Sequence, residues 1–254
     1  MADEVLTEIR GKVMVITLNR PEAMNSVNQD LAQALAAAVD EMDANPDISC
    51  GVLTGNGRGF CAGMDLKAFM QGSFPGIPGR GFGGITEQLP KKPLIAAVEG
   101  FALAGGCELA LSCDLIVAAE GAKFGIPEAG VGLFAAAGGL LRLPRVLPYA
   151  VAMRMALTAQ PITAEDALGY GMVTEVTPKG EALDAAIELA EQIAKNAPLS
   201  LMASKEIIRE TQGRTEAEFW EYQKGHYGVI FGSEDGKEGA TAFAEKRAPR
   251  WQGK

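Results

Sequence analysis

Residues 100–111 read Gly-Phe-Ala-Leu-Ala-Gly-Gly-Cys-Glu-Leu-Ala-Leu, and this stretch says more about the fold than any other part of the 254-residue chain. Gly105 and Gly106 stand where a predicted strand joins a predicted short helix. N–H groups at a helix start lack intrahelical partners, and the helix dipole favours negative charge there. Glu108 then follows among apolar residues, with no Lys or Arg within ten positions. The stretch predicts exposed backbone donors beside either a desolvated carboxylate or one that turns outward to water.

Apolar patterns on both sides of this stretch predict alternating strands and helices. Short apolar runs predict strands over 5–9, 13–18, 49–54, 93–98 and 115–118. A 3.6-residue apolar stripe between Leu31 and Met42 predicts a helix, with Ser26 and Gln29 as its capping box. Recurring strand–turn–helix units favour an α/β fold with right-handed crossovers.

The last third of the chain is predicted to be helical. Apolar stripes begin near Leu183 and again after Pro198, and Ser233 is expected to cap a last helix through Lys246. Both tryptophans lie in this part of the chain. This aromatic surplus indicates either a protein interface or packing on the parent domain, and the sequence leaves both open.

Composition narrows the class of protein. The chain has 32 acidic and 23 basic residues, a net charge of −9, and no block of like charges, which disfavours nucleic acid and anionic membranes as partners. Four cysteines without a C-x-x-C pair and a single histidine give little support to a metal site. The acidic start and the shortness of the apolar run 129–141 predict a soluble, cytoplasmic protein with free thiols.

Two further segments carry candidate chemistry. Glu128 lies in a Gly/Pro-rich loop with apolar flanks, where it is either an exposed loop acid or a partner for Glu108 in acid–base catalysis. Small residues over 57–67 expose backbone amides that, with one near Gly105, are suited to an oxyanion hole. The glycine-rich segment 69–84 is predicted to be a mobile loop, and its G-x-G-x-x-G lacks the flanking strand and helix of a dinucleotide site.

Taken together and in order, six segments resemble the crotonase superfamily, the enoyl-CoA hydratase/isomerase fold. The resemblance covers essentially the whole chain, and the matching segments are 19–25, 60–66, 104–110, 124–128, 138–144 and 164–173. It implies a spiral of ββα units over 1–195 and a helical trimerisation region over 196–254. The implied assembly is a homotrimer or a dimer of trimers.

The resemblance also implies roles for individual residues. Met64 and Gly105 would donate N–H groups to a thioester oxygen, Glu108 would activate water, and Glu128 would protonate C2. Residues expected to contact coenzyme A are Ala23, Met24, Ala62, Asp65, Leu66, Lys67, Phe243 and Lys246. Residues expected to line the acyl pocket are Pro127, Leu133 and Ala136. No permanently bound cofactor and no metal are expected, since coenzyme A arrives as part of the substrate.

The expected activity is enoyl-CoA hydration, a lyase reaction of fatty acid metabolism. The alternatives are Δ3-Δ2 isomerisation or other enolate chemistry, including hydration of a crotonobetainyl-CoA-like substrate, and non-catalytic acyl-CoA binding. Glu22 stands where many hydratases carry a basic residue, and the alanines of 135–137 replace a common Pro-Gly-Ala.

Overall fold

The computed structural model describes residues 3–254 and shows the predicted alternation of strands and helices. The strands are β1 Val5–Arg10, β2 Val13–Leu18, β3 Cys50–Gly55, β4 Gly76–Ile77, β5 Gly81–Phe82, β6 Leu94–Val98, β7 Phe101–Leu103, β8 Leu115–Ala119, β9 Lys123–Gly125, β10 Ile162–Thr163 and β11 Glu175–Thr177. The helices are α1 Gln29–Ala44, α2 Leu66–Met70, α3 Gly105–Ala110, α4 Gly139–Val146, α5 Tyr149–Thr158, α6 Ala164–Tyr170, α7 Ala182–Ile193, α8 Pro198–Glu210, α9 Glu216–Phe231 and α10 Glu234–Glu245. Short 3₁₀ turns cover Pro21–Ala23 and Pro127–Val131.

The largest sheet has the strand order β1-β2-β3-β6-β8-β11. Strands β1 and β2 form the predicted antiparallel hairpin, and the remaining neighbours are parallel. Parallel neighbours require long crossovers, and α1 supplies one between β2 and β3. A second sheet, β10-β9-β7, lies beyond the ends of β6 and β8, and a bridge between Cys61 and Ala102 extends it.

The strands β2, β3, β6 and β8 of the large sheet are covered on both faces, whereas β1 is largely exposed. Successive residues of a strand point to opposite faces of the sheet. Leu53 belongs to the apolar cluster that includes α1, whereas Val52 belongs to the cluster that includes α7. Ala186 and Ala190 let α7 pack closely on the strands. The sequences of these buried strands are therefore continuous apolar runs. The loops that follow β3 and β6 begin at the ends of buried strands, which fixes their starting positions.

The start of α1 differs from the prediction. The N-cap is Asn28, whose side chain accepts the N–H of Leu31, and not the predicted Ser26. Asn is as good an N-cap as Ser, and the apolar stripe alone does not determine which polar residue caps the first turn of the helix.

The glycine-rich segment 69–84 is not an unstructured loop. It contains the end of α2 and a small hairpin in which β4 pairs with β5. Phe82 is buried, and the missing side chain of Gly83 leaves room for Leu109. The segment is thus folded against α3 through its few large side chains.

The predicted C-terminal helices are confirmed, including Ser233 as the cap of α10, where it accepts the N–H of Gly236. One of the two tryptophans packs on the parent domain, since the indole of Trp251 donates to the carbonyl of Lys195. Trp220 is 46% exposed, and its part in a protein interface stays a prediction. Among residues 3–254 no helix is long and apolar enough to cross a bilayer.

Candidate active site

A cavity of about 630 Å³ lies between the hairpin β4-β5, the start of α3 and the 3₁₀ turn Pro127–Val131. Most of its lining is apolar, and four phenylalanines take part: Phe69, Phe74, Phe82 and Phe134. Three carboxylates line it, those of Glu87, Glu108 and Glu128. Among the described residues that line it there is no Lys or Arg. The cavity therefore suits an apolar part of a ligand. The groups available for chemistry on that ligand are carboxylates and backbone N–H groups.

Glu108 points inward from α3 and is only 3% exposed, so the alternative of an outward-turned side chain is wrong. Its Oε1 accepts the N–H groups of Ala137 at 2.7 Å and Gly139 at 2.8 Å. A Cβ on Gly139 would lie 3.1 Å from that oxygen, which explains a glycine at this position. The carboxylate is thus held from one side by the loop before α4.

Burial raises the pKa of Glu108 to about 7, although the N–H groups of Gly139 and Ala137 act in the opposite direction. Near neutral pH the acid and base forms of this carboxyl group are therefore both populated. This is the range in which a carboxylate serves best as a general acid or base.

Glu128 lies in the first turn of the 3₁₀ segment Pro127–Val131. Its Oε2 is buried and has no hydrogen-bond partner within residues 3–254. Burial raises the pKa of this carboxyl group as well, and its charge contributes to the raised pKa of Glu108. The structure thus brings the two predicted carboxylates to one cavity.

The N–H group of Met64 is exposed to the cavity by strand-like pairing next to it. Val27 donates to the carbonyl of Gly63 and accepts from the N–H of Asp65, so the N–H of Met64 between them points away from Val27. Within residues 3–254 this N–H has no acceptor.

The N–H group of Gly105 opens the first turn of α3, where no intrahelical acceptor exists. Ala104 before it has φ +51°, an uncommon value for a residue with a side chain. A Cβ on Gly63 would lie 3.0 Å from the nitrogen of Gly105, so the segments that carry the two donors are in contact. Both Met64 and Gly105 line the cavity.

The residues expected to contact coenzyme A divide into two groups. Ala62 and Leu66 line the cavity, and Ala62 donates its N–H to the carbonyl of Met24, which brings the loop of Ala23 and Met24 close to its rim. Away from the cavity lining lie Ala23, Met24, Asp65, Lys67, Phe243 and Lys246. The last two are exposed on and after α10.

Asp65 is already engaged within the chain. Its carboxylate caps α2 by accepting the N–H groups of Lys67 and Ala68, and it forms an ion pair with Arg20 at 3.1 Å. Arg20 also donates to the carbonyl of Ser26. The side chain of Asp65 thus ties α2 to the loop that carries Met24.

The three predicted acyl-pocket residues, Pro127, Leu133 and Ala136, all line the cavity. Sequence reasoning missed the phenylalanine rings and Glu87. The signal available for them was the presence of large side chains in a segment otherwise made of glycine and proline.

Other candidate groups play no part in the cavity. Burial raises the pKa of the thiols of Cys61 and Cys107, which makes them poor nucleophiles. His226 lies on α9, 5.5 Å from the ring of Tyr222. In the part of the chain described, no three His, Cys, Asp or Glu side chains are arranged to hold a metal ion.

Proteins similar to this chain are known over its whole length. Residues 8–254 match the family model described as Enoyl-CoA hydratase/isomerase. Enoyl-CoA hydratase EchA19 of Mycobacterium tuberculosis is 43% identical, covering 98% of this chain and 96% of its own, and carnitinyl-CoA dehydratase of Salmonella typhi is 41% identical over the full length of both. The crystal structure of enoyl-CoA hydratase EchA1 from Mycobacterium marinum is 55% identical and superposes with a TM-score of 0.97 over 99% of this chain and 100% of that one. The predicted fold class is confirmed.

Proposed function

Because this chain belongs to the enoyl-CoA hydratase/isomerase family, we propose that it adds water across the C2–C3 double bond of a 2-enoyl-CoA thioester. One observation carries this proposal above all. The carboxyl groups of Glu108 and Glu128 share a cavity with the N–H groups of Met64 and Gly105, which have no acceptor within residues 3–254. Burial raises the pKa of both carboxyl groups. Hydration of a conjugated thioester is promoted by donors to the oxygen that gains negative charge and by groups that remove a proton from water and deliver one to C2.

In this proposal the N–H groups of Met64 and Gly105 hold the thioester oxygen. They stabilise the negative charge that moves onto this oxygen as water attacks C3. Because the donors belong to rigid backbone, they need no rearrangement during the reaction.

Glu108 in its charged form removes a proton from the attacking water, whose oxygen bonds to C3, and Glu128 in its protonated form gives a proton to C2. Proton exchange with solvent then restores both carboxyl groups. The product is the 3-hydroxyacyl-CoA, and no other reactant is needed. The geometry supports this assignment because Glu108 has two N–H donors that favour its charged form, while the buried Oε2 of Glu128 has no partner in the described chain.

A second candidate substrate is a crotonobetainyl-CoA-like thioester, whose acyl group carries a quaternary ammonium ion. Glu87 and the phenylalanine rings of the cavity favour it, since carboxylates and aromatic faces attract such cations. A relative of 41% identity bears the name carnitinyl-CoA dehydratase.

A substrate panel tests the proposed function. We expect crotonyl-CoA to lose its conjugated thioester absorbance and to gain the mass of one water. Longer 2-enoyl-CoAs, 3-enoyl-CoAs and crotonobetainyl-CoA are compared in parallel. Double-bond migration without water gain indicates an isomerase, and tight binding with no turnover of any thioester indicates a binding protein; either result contradicts the proposal.

We further propose that residues 196–254 form an oligomerisation region, and that a neighbouring subunit brings Phe243 and Lys246 to the coenzyme A site. Support comes from Phe243, whose ring is 88% exposed and is therefore free to contact a neighbouring subunit. Coenzyme A is anionic whereas the chain has net charge −9, so a lysine near the site is favourable. Ala23, Met24, Asp65 and Lys67 are proposed to complete that site along the rim of the cavity.

Light scattering of the purified chain tests the oligomer. We expect the mass of a trimer or hexamer, a shift of Phe243→Asp toward smaller species, and a severalfold higher KM for crotonyl-CoA in this variant. Ala244→Asp places the same charge on an exposed neighbouring position of α10 and is the matched control. A monomeric wild type with full activity contradicts this part of the proposal.

A further inference from the structure

Arg142 of α4 links two walls of the cavity without lining it. Its Nη1 donates to the carbonyl of Ala137 at 3.2 Å, and its Nη2 donates to the carbonyl of Thr86. Ala137 belongs to the loop that holds Glu108, and Thr86 follows the hairpin β4-β5. One guanidinium group thus joins the loop before α4 to the segment after the hairpin.

The loop is shaped so that Arg142 can reach it. Gly138 has φ +102°, and a Cβ there would collide with Nη1 of Arg142. The next residue, Gly139, faces the carboxylate of Glu108 on the other side. Because these two adjacent residues are glycines, Arg142 can contact one side of the loop and Glu108 the other.

Resting on the proposed role of Glu108 as the base, we propose that Arg142 is a positioning residue. Its guanidinium group holds the peptide group between Ala137 and Gly138. This fixes the two flanking peptide groups, whose N–H groups, those of Ala137 and Gly139, aim at Oε1 of Glu108. Arg142 touches neither substrate nor the reacting atoms.

The charged groups around Glu108 determine whether loss of Arg142 raises or lowers the pKa of Glu108. Glu128 faces it across the cavity, the thiol of Cys107 is its neighbour on α3, and Arg142 stands behind the loop. Arg145, Arg209 and Cys113 lie around Arg142 in turn. Among these groups, the positive charge of Arg142 and the two N–H donors favour ionised Glu108. Without Arg142, the pKa of Glu108 rises.

The first experiment compares pH profiles of kcat/KM for crotonyl-CoA. In Arg142→Gln the acidic limb is expected to move to higher pH by about one unit, with a loss in kcat of about fivefold at pH 7 and a smaller loss at pH 9. KM stays near the wild-type value, and Arg142→Lys restores part of the shift. Arg145→Gln removes the same charge one turn along α4, where the side chain makes no hydrogen bond within residues 3–254, and leaves the limb in place.

A second measurement does not depend on turnover. The carboxyl C=O stretch of Glu108, assigned by its loss in Glu108→Gln, is followed by infrared titration and is expected to titrate at higher pH in Arg142→Gln. If wild type hydrates no thioester but this band shifts, the proposed function fails and the positioning role stands. If Arg142→Gln folds and both the limb and the band remain at the wild-type pH, the positioning role is wrong.

Discussion

Replacement of Glu108 by Gln is expected to lower kcat for crotonyl-CoA hydration by about a thousandfold, because a well-placed general base contributes between a hundredfold and ten-thousandfold. The amide oxygen of Gln can still accept the N–H groups of Ala137 and Gly139, so the loop keeps its geometry. What is lost is the ability to take a proton from water. Steady-state kinetics at pH 8 give kcat, and binding of butyryl-CoA by calorimetry shows that the site still forms.

Glu128→Gln is expected to lose activity to a similar degree, since protonation of C2 fails instead. Glu120→Gln, an exposed glutamate after β8, is the matched control and retains wild-type kcat. Turnover of Glu108→Gln within threefold of wild type contradicts the assignment of the base.

The pKa of Glu108 predicts the direction in which Glu108→Gln changes the stability of the fold. The pKa of Glu108 is about 7 in the folded chain, above the ordinary value of 4.5 that applies when unfolded. Folding therefore favours the protonated form: the stabilisation is complete below pH 4.5 and is lost as the pH rises through 7. At pH 8 the variant is accordingly expected to melt no lower than the wild type, which separates lost chemistry from lost folding.

The sequence predicts the elements around the site better than it predicts the contacts between them. Glu108 stands out because a carboxylate among apolar residues is costly to bury without a use. The N–H donors to its carboxylate, Ala137 and Gly139, lie 29 and 31 residues further along the chain. No local sequence pattern predicts that they contact Glu108. Their convergence depends on how α3 and α4 pack, which is a tertiary property.

The segment 69–84 shows a second limit of prediction from the sequence. Its glycines predict mobility, since backbone freedom is what they offer locally. In the fold, however, glycines around the cavity leave room for large neighbours, as Gly105 does for the ring of Phe82 and Gly83 does for Leu109. A composition rich in glycine therefore does not distinguish a mobile segment from one that packs closely, and the sequence does not predict the aromatic lining of the cavity for this reason.

The oxyanion donors are expected to respond strongly to a single methyl group at Gly63. This residue has φ +103°, and a Cβ would lie 2.7 Å from the Cβ of Ala104 and 3.0 Å from the nitrogen of Gly105. Gly63→Ala must therefore push apart the segments that carry the N–H groups of Met64 and Gly105. Loss of one well-aligned donor costs about a hundredfold to a thousandfold in kcat, and we expect a loss of about a hundredfold here.

The measurement must separate misplaced donors from backbone strain. Gly121→Ala is the matched control, because Gly121 also has positive φ, at +71°, but a Cβ there would meet no atom within 4 Å, and the residue has no part in the cavity. Both variants place an alanine in the left-handed region, so both are expected to melt lower than the wild type. Only Gly63→Ala should lose kcat, and its affinity for butyryl-CoA should fall much less than its kcat, because the donors act mainly on charge that develops in the transition state. If folded Gly63→Ala keeps wild-type kcat, the N–H groups of Met64 and Gly105 do not form the oxyanion hole.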